Sequence, residues 1–96
     1  MIHSLFYLVE DLIDADDSYK NIDISGIKID SNKVLPGDLF IAVSGENFDG
    51  HDFIHQAIIN GASAVITNGR SMNIDPIPQI KVSNPRRAIS HVSSKL

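Results

Sequence analysis

Ninety-six residues suffice for a single domain, and 43% hydrophobic with 21% charged residues excludes a disordered chain. No apolar run approaches the roughly 20 residues of a membrane span, and the absence of cysteine removes disulfides and thiolate metal sites. A formal net charge of −4, with no basic run beyond Arg86-Arg87, lacks the cationic footprint that nucleic-acid backbones require.

The first ten residues are apolar but carry no basic segment and no small-residue cleavage site, so a secretory signal peptide is not expected. A cytoplasmic protein fits these features. Residues 4–13 place Leu5, Leu8, Val9 and Leu12 at helical spacing, with Ser4 as N-cap, and predict a short amphipathic helix. Residues 14–21 are polar and acidic, a loop. Ile22, Ile24, Ile27 and Ile29 then alternate with polar residues while Gly26 breaks the register, which predicts two short strands or one bulged strand.

Residues 32–38 form a turn, with Pro36-Gly37 at the central positions of type II and glycine supplying the positive φ. Residues 39–43 (LFIAV) are continuously apolar, the pattern of a strand covered on both faces. A polar Gly-containing loop follows at 44–49. Asp49 and Asp52 have the spacing of a capping box, which explains them better than an acid/base pair. The helix after them faces inward through Phe53, Ile54, Ala57 and Ile58 and ends at Asn60-Gly61.

Residues 62–67 (ASAVIT) predict a strand, 68–76 a polar loop, and 77–82 a weaker strand. Asn84 caps a last helix with Pro85 at its first position and an apolar stripe of Ile89, Val92 and Leu96. That stripe stops in mid-pattern, so the chain is expected to be one domain of a longer protein. The strand–helix–strand order over 38–67 implies a parallel pair. The expected fold class is α/β, a small Rossmann-like domain whose mostly parallel or mixed sheet is flanked by helices.

Catalytic signatures are missing. There is no GxxxxGK[ST] phosphate loop, no GxGxxG and no HExxH. His51 and His55 stand one helical turn apart, a spacing that can seat a metal, but surface positions on a helix account for them better. The loops around one strand make a rim for a ligand, without the groups to transform it.

The run DSNKVLPGDLFIAVSGENFDGHDFI resembles the N-terminal domain of the Mur ligases, the ATP-dependent enzymes of cytoplasmic peptidoglycan precursor synthesis. The family pattern D-S-R, K-V-x-P-G-D-L-F-[VI]-A, G-x-x-x-D-G-H-x-F is matched by Asp30-Ser31, Lys33-Val34, residues 36–42, Gly45, Asp49-Gly50-His51 and Phe53. Resemblance continues through Gln56-Ala57-Ile58, Gly61-Ala62 and the final VSNPRRAISHVSSKL, and so covers the chain from about residue 22. Within the family it is most similar to the MurE branch, which adds diaminopimelate or lysine to UDP-N-acetylmuramoyl-L-alanyl-D-glutamate. The MurF branch, which adds D-alanyl-D-alanine, is the alternative. Asn32 stands where the family usually has arginine.

The resemblance implies that this domain holds the UDP end of the substrate through Ile29, Ser31, Glu46, Asn47 and Phe48. Ser31 would donate to a ribose or phosphate oxygen, and Phe48 would stack on the base. It also implies no cofactor in this domain, with ATP and Mg²⁺ bound elsewhere in the parent enzyme. The partners it implies are the UDP-N-acetylmuramoyl-dipeptide and the enzyme's central and C-terminal domains, with no nucleic acid and no membrane. From the residues alone, Ser31 and Asn32 are equally turn formers and Phe48 equally a cover for the core. A stand-alone α/β interaction module with no nucleotide site is the competing reading.

Overall fold

A computed structural model describes residues 2–45, 49–69 and 77–96. Its centre is a four-stranded, all-parallel sheet of β3 (Gly26–Lys28), β4 (Asp38–Ile41), β5 (Ala64–Thr67) and β6 (Gln79–Lys81), ordered β3-β4-β5-β6. A small antiparallel pair, β1 (His3–Ser4) with β2 (Asp23–Ile24), stands beside it. The isoleucine-rich stretch is therefore two strands in two sheets. Between them Ser25 leaves both ladders and donates its amide to the Gly37 carbonyl at 2.9 Å.

The two inner strands are buried on both faces, as their continuous apolar sequences require. Leu39 and Ile41 of β4, with Ala64 and Ile66 of β5, pack against Leu5, Leu8 and Val9 of α1 (Leu5–Val9) and Ala88 and Val92 of α3 (Pro85–Ser93). The alternate residues Phe40, Ala42 and Val65 meet Ile54 and Ala57 of α2 (Ile54–Ile59) on the other face. Side chains alternate across a strand, so one tetrapeptide serves both cores. The result is a helix–sheet–helix sandwich.

Local signals act where they were expected. The Ser4 hydroxyl accepts from the Tyr7 amide at 3.1 Å and opens α1. The helix is shorter than the 4–13 pattern: it ends after Val9, and Leu12 and Ile13 reach the core from the turn that follows. Pro36-Gly37 forms the turn, with Gly37 at φ 93° and the Asp38 amide bonded to the Leu35 carbonyl at 3.1 Å. Asp38 is buried, and its carboxylate accepts from Lys28 Nζ at 3.0 Å and the Leu35 amide at 2.9 Å. A buried carboxylate needs such partners, and here they tie the turn to edge strand β3. Asn84 Oδ1 accepts from the Arg87 amide at 3.3 Å and Pro85 begins α3.

Three expectations about burial are corrected. Phe53 is 43% exposed, because residues 50–53 form a 3-10 turn and α2 starts only at Ile54. Leu96 is 52% exposed, and the inward stripe of α3 is Pro85, Ala88 and Val92 with Ile89 beside it. His51 is 3% exposed, not a surface residue, while His55 does face solvent.

Candidate functional site

In a parallel α/β sheet the loops leaving the carboxyl ends of the strands form the ligand crevice, because every crossover delivers its loop to that edge. Here the described parts of those loops are residues 29–33 after β3, 42–45 and 49 after β4, 68–69 after β5 and 82–84 after β6.

The β3 loop is built around Asp30. Its carboxylate accepts from the Asn32 amide at 2.9 Å and caps a 3-10 turn, Ser31–Lys33. Ser31 thus sits inside the turn rather than forming it, and it is only 5% exposed. Its carbonyl accepts from Asn60 Nδ2 at 2.8 Å, which fastens the loop to the end of α2. Beside this turn lies a pocket of about 250 Å³ lined by Ile29, Asp30, Ser31, Asn32, Phe40 and Phe53. Ile29 is 47% exposed and forms one wall. Phe40 closes the floor, so the pocket rests directly on the core. The exposure of Phe53 has its reason here: the ring belongs to the pocket.

The β4 loop is held at both ends. Ser44 and Asp49 form an antiparallel bridge. The Gly50 amide donates to the Val43 carbonyl at 2.7 Å, and a Cβ on Gly50 would stand 2.8 Å from the Val43 backbone nitrogen and oxygen. Only glycine permits that approach. Asp49 Oδ1 accepts from the His51 amide at 3.0 Å and lies 2.7 Å from His51 Nδ1. On the far side of the ring, Nε2 accepts from the Asn68 amide at 3.2 Å. A nitrogen that accepts carries no proton, so Nδ1 carries it and donates to Asp49. His51 therefore bridges the loop after β4 to the end of β5 as a neutral ring. Arg86 at the start of α3 reaches back, Nη2 donating to the Ser44 carbonyl at 2.9 Å.

Of the five expected substrate-binding residues, Ile29 and Ser31 meet in one pocket. Glu46, Asn47 and Phe48 lie outside the described residues. Sequence reasoning missed Phe40 and Phe53 as pocket walls and His51 as the tie between strand ends. For His51 a signal was present, since it follows a helix-capping aspartate at a distance that lets the ring share the cap. Among the described residues no group of three or more His, Cys, Asp or Glu side chains comes together to hold a metal ion.

A four-stranded parallel sheet flanked by helices, with a pocket at its carboxyl edge floored by a core phenylalanine, defines an α/β domain. A model of the Mur ligase family, catalytic domain, matches residues 23–95, and the chain belongs to that family. It is 36% identical over 76 residues to the UDP-N-acetylmuramoyl-L-alanyl-D-glutamate–2,6-diaminopimelate ligase of Oceanobacillus iheyensis, covering 79% of this chain and 15% of that one. It is 33% identical over 94 residues to the UDP-N-acetylmuramoyl-tripeptide–D-alanyl-D-alanine ligase of Escherichia coli K12, covering 98% of this chain and 20% of that one. A crystal structure of MurF from Acinetobacter baumannii superposes with a TM-score of 0.80 at 26% identity, covering 98% of this chain and 21% of that one. The chain thus spans about a fifth or less of the length of these relatives.

Proposed function

We propose that this chain is the N-terminal substrate-holding domain of a three-domain Mur ligase, and that it grips the UDP end of a UDP-N-acetylmuramoyl-peptide. The observation that carries the reading is the pocket in which Ile29, Ser31, Asn32, Phe40 and Phe53 converge at the carboxyl end of β3. Its walls suit a planar base: two aromatic rings and an isoleucine offer apolar contact, while Ser31 and Asn32 offer the donors and acceptors that match a pyrimidine edge. Glu46, Asn47 and Phe48 belong to the same proposal through the family resemblance, as further contacts to this ligand.

In this reading the ligand is UDP-N-acetylmuramoyl-L-alanyl-D-glutamate and the parent enzyme, in the cytoplasm, joins an amino acid to it with ATP. ATP and Mg²⁺ act in the central domain. The present residues contribute positioning, which lowers the barrier by holding the reacting carboxylate where the chemistry occurs. A MurF-type parent is the second reading, favoured by the 98% coverage of this chain in both the E. coli ligase and the A. baumannii structure. It places the same UDP end in the same pocket.

Titrating the isotope-labelled chain with UDP and with uridine tests the reading. Both should shift the amides of Ile29, Ser31 and Asn32 saturably, and Ile29→Ala should weaken binding while leaving stability within about 0.5 kcal/mol. No saturable shift at these residues would overturn it. The chain alone should show no ATP-dependent ligation.

A further inference from the structure

The chain is acidic overall, yet the opposite edge of the sheet gathers positive charge. A second pocket, of about 370 Å³, is lined by Leu12, Lys81, Val82, Ser83, Asn84, Arg87, Ala88 and His91. That volume lies within the range of about 300–1,000 Å³ usual for small-molecule sites. Among the described residues no carboxylate lines it. Lys81 comes from the last residue of β6, and Arg87 and His91 from one face of α3. Both Lys81 and Arg87 are exposed, and neither forms an ion pair among the described residues. The Asp11 carboxylate stands 3.7 Å from His91 Nε2, but it is engaged by Lys95 Nζ at 2.9 Å.

Two cations and an imidazole that share one concavity in a chain of net charge −4 are not part of a general positive field. The two cations repel one another unless an anion lies between them. Ser83 and Asn84 add neutral hydrogen-bond donors at the same mouth. Leu12, Val82 and Ala88 form an apolar wall, continuous with the core beneath α1 and α3.

We infer that this pocket binds the phosphate group of a small molecule, held by Lys81 and Arg87 with His91, Ser83 and Asn84 around it. Arginine offers a phosphate two parallel hydrogen bonds and lysine a mobile point charge. The site is separate from the proposed uridine pocket. β3 and β6 are opposite edges of the sheet, roughly 14 Å apart at the usual strand spacing. Phe40 under the first pocket belongs to the α2-side core, whereas Ala88 and Leu12 beside the second belong to the other core.

The test is a titration of the labelled 96-residue chain with inorganic phosphate and with phenyl phosphate, ionic strength held constant with sodium chloride. Saturable shifts at Lys81, Ser83, Asn84, Arg87 and His91 are expected, with Ile29 and Ser31 unmoved. Tighter binding of phenyl phosphate assigns an organic ester that uses the apolar wall; equal binding assigns free phosphate. The exposed double substitution Lys81→Gln with Arg87→Gln should weaken binding by about tenfold or more without changing the fold, whereas Arg86→Gln, on the Ser44 side of the helix, should not. Shifts that sodium chloride alone reproduces, or a double variant that binds as tightly as the original chain, overturn the proposal. Uridine, which has no phosphate, should leave this edge silent, so the outcome is independent of the uridine reading.

Discussion

The two edges of the sheet, built on the same architecture, present contrasting rims. At β3 the rim is apolar and rooted: Phe40 is at once pocket floor and core residue, and Ser31 is buried in a capped turn that Asn60 holds. At β6 the rim is charged and detached, since Lys81 and Arg87 are exposed. A site rooted in the core is preorganised but cannot change without a loss of stability. A site made of surface charges can change freely, and its affinity depends on salt.

Substitutions can break that contrast. The largest effect is expected at Phe40→Ala, which removes the floor of the β3 pocket and a ring from the α2-side core. It should cost about 3–5 kcal/mol, a large part of a small domain's stability, read as a lower denaturation midpoint. A Phe40→Ala chain as stable as the original would show that the pocket is not rooted in the core. Next is His51→Ala. It removes the acceptor of the Asn68 amide and the donor to Asp49, and should cost about 1–3 kcal/mol. Amide exchange should quicken at Asn68 and Gly50, while Lys81 and Arg87 stay unaffected.

The smallest effect concerns the surface clamp between α1 and α3. Lys95 donates to Asp11 at 2.9 Å and to the Tyr7 carbonyl at 2.6 Å, with its ammonium 4.8 Å from the centre of the Tyr7 ring. The hydrogen bond and charge of Lys95 hold the Asp11 carboxyl below its ordinary value of 3.8. A carboxyl with a lower value in the folded chain binds its proton more readily when unfolded. Its contribution is therefore complete above the unfolded value and lost as pH falls through the folded one. Acid unfolding curves should show Asp11→Asn lacking this small component, with the difference fading in high salt. An unchanged difference at high salt would argue against an exposed ion pair as its origin.

What could be read from the chain was what depends on near neighbours. The Asn84 cap with Pro85 and the Pro36-Gly37 turn involve atoms three residues apart, so their residue types announce them. The doubly buried strand β4 showed as the unbroken apolar run at 39–43, which overlaps it from Leu39 to Ile41. Ile29 and Ser31 were singled out only through family resemblance, and the residues themselves left Ser31 as a turn former; Asp30 turned out to hold that role. His51 was misplaced on the surface because its burial depends on Asn68, 17 positions away. Phe53 was assigned to the core because helical spacing was extended one turn too early, across a 3-10 segment.

The sequence by itself determined the order of the four parallel strands and the three α-helices, the Ser4 and Asn84 caps, the turn and the two-sided burial of the central strand, since each rests on short-range geometry and side-chain alternation. Only the tertiary structure decided which distant residues share a pocket. Pairing β3 with β4 set Ile29 and Ser31 over Phe40, and docking α3 on the sheet collected Lys81, Arg87 and His91 into one pocket. Charge and shape at a site are sums over neighbours in space, and a linear pattern contains that sum only after the sheet has closed the distances.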